Sequence, residues 1–469
     1  MQIGVAPTSK AVYNPRNHNR VPRMTTLARK LNLVDYFALG FGVMVGTAWL
    51  VVMGDLLERG GPLGAMLGIT FGALTLLPIG YVYGQLVKAI PDAGGEVAYT
   101  ALFFPKSVSF LTGWLMLLSY FLTCPFEAVA AGKIAAYIFP SMDSVEMYRL
   151  EGRPIYLGHV ILALTITVLL TWLNYRGIQA SARFLKWTTF TFLGCVVIFA
   201  AAGFGHGSLS NFRPMFAHAP LISIFLVWQI TPWLLSGFES VGKGAEEASP
   251  DFQGKNFSVA ILMTIIVGLL FFWVVIAGVA YAAPWQSLAN EKFSTAIAFE
   301  RALHARWIVD LIMGAAFIAL LKAFNGNVVA SSRMLYSMGR RNLLDHRLGR
   351  VHAINQTPSV AVISVGVATA IAVLLGEALL VPVLEVGAVG CAIGWMATCA
   401  SYFCMKPSFL GRAAAIFGVL LTSAMILAKV MPFVPGHFSR PEWIAMAIYG
   451  FLGYLLWTRR HEIPGTRRQ

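Results

Sequence analysis

Twelve apolar stretches take up most of this chain, each long enough to cross a ~30 Å hydrocarbon layer as a helix. They run approximately over 33–57, 62–88, 107–139, 155–175, 183–204, 221–247, 256–283, 308–338, 358–376, 380–404, 409–430 and 441–458. In lipid every backbone N–H and C=O needs a partner, so only helices or closed barrels can span. Barrel strands alternate in polarity over ~10 residues, and these stretches are longer and apolar throughout. The fold class that follows is an all-α integral membrane protein with twelve transmembrane helices. The third, sixth and eighth stretches exceed the bilayer thickness, so they are expected to tilt or to project at one end.

Composition narrows the function classes. The chain is 57% apolar and 12% charged, with a mean hydropathy of +0.70, against roughly 25% charged in soluble domains. A soluble enzyme, a disordered chain and a disulfide scaffold are excluded. Cys124, Cys195, Cys391, Cys399 and Cys404 all lie in apolar surroundings without C-x-x-C spacing, and read as small hydrophobes. Residues 1–30 are polar and basic without an apolar run, which predicts a cytoplasmic tail and no cleavable signal peptide. No H-E-x-x-H, G-x-S-x-G or P-loop spacing occurs. The expectation is no enzyme activity, no cofactor, no metal site and no nucleic-acid partner.

The formal charge of +14 has a topological reading. With the N-terminus inside, 24 of the 35 Lys and Arg residues fall in the two tails and the inner loops, including Lys10, Arg16, Arg20, Arg23, Arg460, Arg467 and Arg468. Nine fall outside, Lys292 among them, and Lys133 and Lys322 lie within spans. Positive charge marks the cytoplasmic side, so both termini are expected there, in a plasma or bacterial inner membrane.

Two stretches carry breaks. The first reads LGFGVMVGTAWLVVMG (39–54), with Gly40, Gly42 and Gly46 at its centre. The sixth reads WQITPWLLSGFESVGKGAEE (228–247), with Pro232, Ser236, Gly237 and the acid Glu239. Glycine and proline weaken helices, and unwound backbone at membrane depth survives only beside a protein cavity. Spans 1–5 and 6–10 then form two blocks. An odd number of spans per block inverts the second relative to the first, as in secondary transporters. Half-helix N-termini at the breaks suit a carboxylate and the opposite carbonyl ends suit an ammonium. A ligand with both groups is an α-amino acid.

From about Leu31 to Phe403 the chain resembles the amino acid–polyamine–organocation (APC) superfamily of permeases. The pieces occur in order: GTA (46–48), GGPLGA (60–65), PDAGGEVAYT (91–100), GW (113–114), NYRGIQASAR (174–183), GFES…AEEASP (237–250) and NVVASSRMLYSMGR (327–340), followed by Thr357-Pro358. The resemblance implies a five-plus-five inverted repeat with discontinuous helices 1 and 6 and two peripheral helices. Its boundaries are a tail at 1–30, a ten-helix core at 31–405 (repeats about 31–205 and 221–405), peripheral helices at 406–460 and a tail at 461–469.

Carried over residue by residue, Thr47 and Ala48 offer backbone N–H to a substrate carboxylate, with Gly46 beside them among the substrate-binding residues. Met44, Trp233 and Ser236 offer carbonyls to its amine, and Gly237 lies in the second break. Trp233 matches an outer-gate aromatic and Phe324 an aromatic that can stack on substrate. Ala48 stands where the family usually has glycine, and its methyl group crowds the pocket. Asn325 and Asn327 are buried polar groups on the same span as Phe324.

Charge inside a membrane helix is costly and tends to be functional. Glu239 falls at the second break, where a gating or proton-coupling role competes with simple capping. Glu127 and Cys124, spaced i,i+3, fall on the face that lines the family's side-chain pocket. A carboxylate there suits a cationic side chain, or pairs with Lys133 or Lys322. Proton-linked relatives often hold a lysine in the fifth span, at a position that falls here on Phe192. Lys322, on the eighth span, approaches that region from the other wall and is expected to replace the missing ammonium.

The reading is a secondary active transporter of amino acids working by alternating access, through proton-coupled symport or exchange, with cationic substrates favoured. A neutral amino acid or polyamine carrier, sodium-coupled uptake and a transport-inactive sensor are the alternatives. Partners are a small-molecule amino acid or amine, H+ and the bilayer, with oligomerisation left open.

Overall fold

A computed structural model describes residues 26–459 except 290, 292, 435 and 436. The tail segments 1–25 and 460–469, with their basic residues, and Lys292 lie outside the described residues.

The chain is helical almost throughout. The first apolar stretch folds as α1 (Leu33–Met44) and a one-turn α2 (Ala48–Val51). The start of α1 is fixed by Asn32, whose side chain accepts from the N–H groups of Val34 and Asp35 while Asp35 accepts from the Asn32 N–H, a reciprocal capping box. Next come α3 (Met53–Ala89), interrupted at Gly61–Pro62, α4 (Glu96–Phe103) and α5 (Lys106–Ile138). After them run α6 (Leu157–Arg176) and α7 (Ile178–Phe204).

The sixth stretch is α8 (Pro220–Trp228), α9 (Thr231–Leu234) and a 3-10 segment, Phe238–Glu247, bent by 44° between its halves. Then follow α10 (Lys255–Ala282), α11 (Ser294–Leu303), α12 (Arg306–Arg340), α13 (Ser359–Val373), α14 (Gly376–Cys404), α15 (Phe409–Val430) and α16 (Arg440–Arg459).

Helix occupies each of the twelve apolar stretches. Among the described residues, nine helices are long and apolar enough to cross a membrane, ten if the bent pair is one span, and α13 is shorter at 15 residues.

One non-helical element is added to the expected fold. Strands β1 (Glu146–Leu150) and β2 (Arg153–Tyr156) pair antiparallel, Tyr148 opposite Ile155 and Leu150 opposite Arg153. Glu151 (φ 47°) and Gly152 (φ 76°) make the two-residue turn, whose twist matches that of a hairpin.

The core sits where α1, α5, α7, α10, α12 and α14 converge, with Trp49, Phe192, Phe199 and Phe271 packed ring to ring at centroid distances of 5.4–6.1 Å. The two ends of the bundle differ. At the end where α1 begins and α12 finishes, the segment 28–31 hydrogen-bonds to Glu247 and Gln356, and ion pairs cluster. The hairpin lies at the other end, beside the close of α5.

Candidate functional site

The first break is three residues long. After Met44 the backbone leaves the helix at Val45 (φ −108°, ψ 93°) and re-enters it at Ala48. Breaking a helix exposes carbonyls on one side and N–H groups on the other. Two buried charges answer them. The Lys322 ammonium donates to the Val45 carbonyl and, at 3.5 Å, to the Phe41 carbonyl. It also lies 5.0 Å from the Phe41 ring centroid and 4.9 Å from that of Phe192, a cation–π arrangement.

On the other side Glu127 accepts from the Thr47 N–H at 3.2 Å and from the Thr47 hydroxyl at 3.1 Å. Cation at the carbonyl end and anion at the amide end is the favourable sense for helix dipoles. Gly46 makes the second contact sterically available, since a Cβ there would overlap the Glu127 carboxylate.

The second break centres on Gly237, whose φ of 124° is left-handed. Its backbone packs on the end of α1: a Cβ at Gly237 would stand 2.6 Å from the Met44 nitrogen. The two breaks therefore touch. Glu239 folds back and accepts from the Gly237 N–H at 2.8 Å, which caps the 3-10 segment. Cys391 Sγ lies 3.8 Å from its other oxygen. The Ser236 hydroxyl donates to the Trp233 carbonyl at 2.8 Å, so that carbonyl already has a donor. The Trp233 ring is exposed.

The remaining sequence-derived residues fall around this pair. Cys124 and Phe324 are buried, with the thiol 3.9 Å from the Phe324 carbonyl. Asn325 faces α6 and α7: its oxygen accepts from Asn174 at 2.7 Å and its nitrogen donates to the Ser181 hydroxyl at 3.0 Å. Asn327 donates to the Ala323 carbonyl of its own helix at 2.8 Å. Ala48 is half-buried at the start of α2. Lys133 is exposed and lines a cavity of about 1010 Å³ on the hairpin side, bounded also by Val129 and His159 and reaching Thr47.

Sequence reasoning did not single out two fully buried ion pairs. Lys243 pairs with Glu96, which also accepts from the Tyr83 hydroxyl at 2.6 Å. Arg333 pairs with Glu247. All four lie inside the quoted stretches 91–100, 237–250 and 327–340. An acid or base between small and apolar residues was the available signal, but linear order does not say which helix supplies the partner.

A helical bundle rich in apolar spans, with two broken helices touching at its centre beneath a cavity, is the build of a multi-pass membrane transport protein. Residues 31–454 match the amino acid permease family, and the chain belongs to it. Amino-acid permease RocC of Bacillus subtilis is 24% identical over 401 residues, 83% of each chain. The methylthioribose transporter of the same organism is 24% identical over 452 residues, covering 93% of this chain and 95% of its own. Its aspartate-proton symporter is 24% identical over 345 residues, covering 70% and 64%. The chain is an amino acid transporter by this kinship.

Proposed function

We propose that this permease is a secondary active transporter working by alternating access, with a twelve-span, five-plus-five inverted-repeat architecture and both termini in the cytoplasm of the cell that bears it. The observation that carries the reading is the contact of the two breaks at Met44 and Gly237, with a cavity on the hairpin side reaching Thr47. At the other end Arg340 bridges Asp92 and Glu246, Arg341 joins Asp92 at 2.6 Å, and Arg333 holds Glu247. This combination fits an outward-open form with its cytoplasmic side locked. Rocking of spans 1, 2, 6 and 7 against the rest separates Asp92, Glu246 and Glu247 from the arginines of α12.

Cationic amino acids are the favoured substrates, because Glu127 places a carboxylate beside Thr47 under the cavity. Protons are the favoured coupling ion. The Lys322 ammonium lies against Phe192, where it fills the place of the lysine missing from α7, and one relative is a proton symporter. A buried lysine readily changes its protonation state, and its release from the Val45 carbonyl would loosen the first break.

Uptake by proteoliposomes tests both halves. Labelled arginine, lysine, leucine, glutamate and putrescine are offered under proton or sodium gradients and with preloaded counter-substrate. Proton-driven lysine or arginine uptake is expected, with loss of the gradient response in Lys322→Ala. Uptake of neutral amino acids alone, unchanged by Glu127→Gln, would overturn the cationic assignment. Full proton-driven uptake by Lys322→Ala would overturn the coupling role.

A further inference from the structure

We infer that Glu127 reverses the electrostatic sense of the first helix break, so that the ligand's ammonium group, and not its carboxylate, seats beside Thr47. A bare half-helix N-terminus carries roughly half a positive charge and attracts anions. Here that position is already filled. Both oxygens of Glu127 are engaged by Thr47, one by its N–H at 3.2 Å and one by its hydroxyl at 3.1 Å. The amide end of the break is thereby occupied by a carboxylate of the protein, not left open for one from a ligand.

The carbonyl side of the same break is filled as well. Lys322 is committed to the Val45 and Phe41 carbonyls, and its ammonium is packed between the Phe41 and Phe192 rings. The break is therefore satisfied at both ends by protein groups. A ligand carboxylate arriving at Thr47 would have to displace Glu127 or lie against it, like charge on like charge.

An ammonium meets no such conflict. Carboxylate oxygens have lone pairs beyond the two that Thr47 uses, and the cavity brings a ligand to Thr47 along the α5 wall formed by Phe126, Val129 and Ala130. Gly46 belongs to the same device, because only a residue without a Cβ lets the Glu127 carboxylate come this close. The selectivity that follows is for a positively charged amine, whether or not an α-carboxylate accompanies it.

The inference rests on the reading of this chain as a carrier of amino acids or amines, and its test separates the two. Full-length protein in nanodiscs is titrated with lysine, with cadaverine, which is lysine without its carboxylate, and with leucine. Cadaverine is expected to bind within about threefold of lysine. Loss of one charge-assisted contact in Glu127→Gln is expected to weaken both by about tenfold or more. Lysine binding with cadaverine weaker by more than about thirtyfold would overturn the inference and leave the transporter reading standing. So would binding of leucine alone. Binding and uptake of none of the three would overturn both. The lysine–cadaverine comparison uses the unmodified chain, so it holds even if the variant fails to fold.

Discussion

Arg333 on α12 grips Glu247, at the end of the segment after the second break, through two hydrogen bonds of 3.0 and 2.8 Å, and both side chains are fully buried. A bidentate guanidinium–carboxylate pair is rigid as well as strong. It ties a helix of the proposed static core to one of the proposed moving spans, so it is both a structural element and a lock.

Removing one partner leaves the other charged and buried. Arg333→Ala and Glu247→Ala should each cost about 3–5 kcal/mol, read as a lower melting temperature in detergent. Replacing both by apolar residues of similar size, Arg333→Met with Glu247→Leu, should recover most of that stability. Labelling of cysteines placed along the half of the first span that begins at Leu33 should then rise in the double variant. Unchanged labelling would show that the pair does not hold that side shut.

Gly237 gives a steric prediction. Its φ of 124° and its approach to Met44, where a Cβ would come within 2.6 Å of the backbone nitrogen, leave no room for a side chain. Gly237→Ala should introduce strain of about 1–3 kcal/mol and lower the rate of uptake more than the amount of folded protein. Transport at the normal rate per folded molecule would refute the idea that contact between the breaks matters.

How much of this was legible beforehand depends on the kind of feature. The helices were, because spans must satisfy their own backbone and so announce themselves as apolar runs. Both breaks were, because glycine and proline at membrane depth carry their own signal. That Lys322 approaches Phe192, at 4.9 Å from its ring centroid, was an expectation of the family resemblance and not of the residues alone. What Glu127 does was not: as a lone acid on α5 it could equally face a substrate or a lysine, and only packing brings it to Thr47. The Lys243–Glu96 pair was hidden for the same reason. Lys243 lies within the expected sixth span at 221–247, but nothing in the order of residues points it at Glu96 on another helix. The hairpin was missed because its strands are only five and four residues long, too short for an alternating pattern to stand out.

Thr47 allows the Glu127 contact to be dissected. Thr47→Ser keeps both hydrogen bonds, while Thr47→Val keeps the shape and the N–H but loses the hydroxyl that donates to the carboxylate at 3.1 Å. Hydrogen bonds to charged groups contribute about 1.5–3 kcal/mol. The valine variant should lose stability of that order and the serine variant little, by thermal unfolding. Equal behaviour of the two would mean that the hydroxyl does not hold Glu127.

Asn325 distinguishes a ligand contact from a helix tie. Its amide is saturated by neighbours: Asn174 donates to its oxygen, and its nitrogen donates to both the hydroxyl and the carbonyl of Ser181, at 3.0 and 3.3 Å. These contacts join α12 to α6 and α7. Asn325→Ala strands buried polar groups on both neighbours, at about 1–3 kcal/mol for each left unpaired. The expected result is a clear drop in melting temperature with substrate affinity unchanged in the folded fraction. If affinity falls while the melting temperature holds, Asn325 reaches the ligand, and the α12 helix must turn during the transport cycle to bring it there.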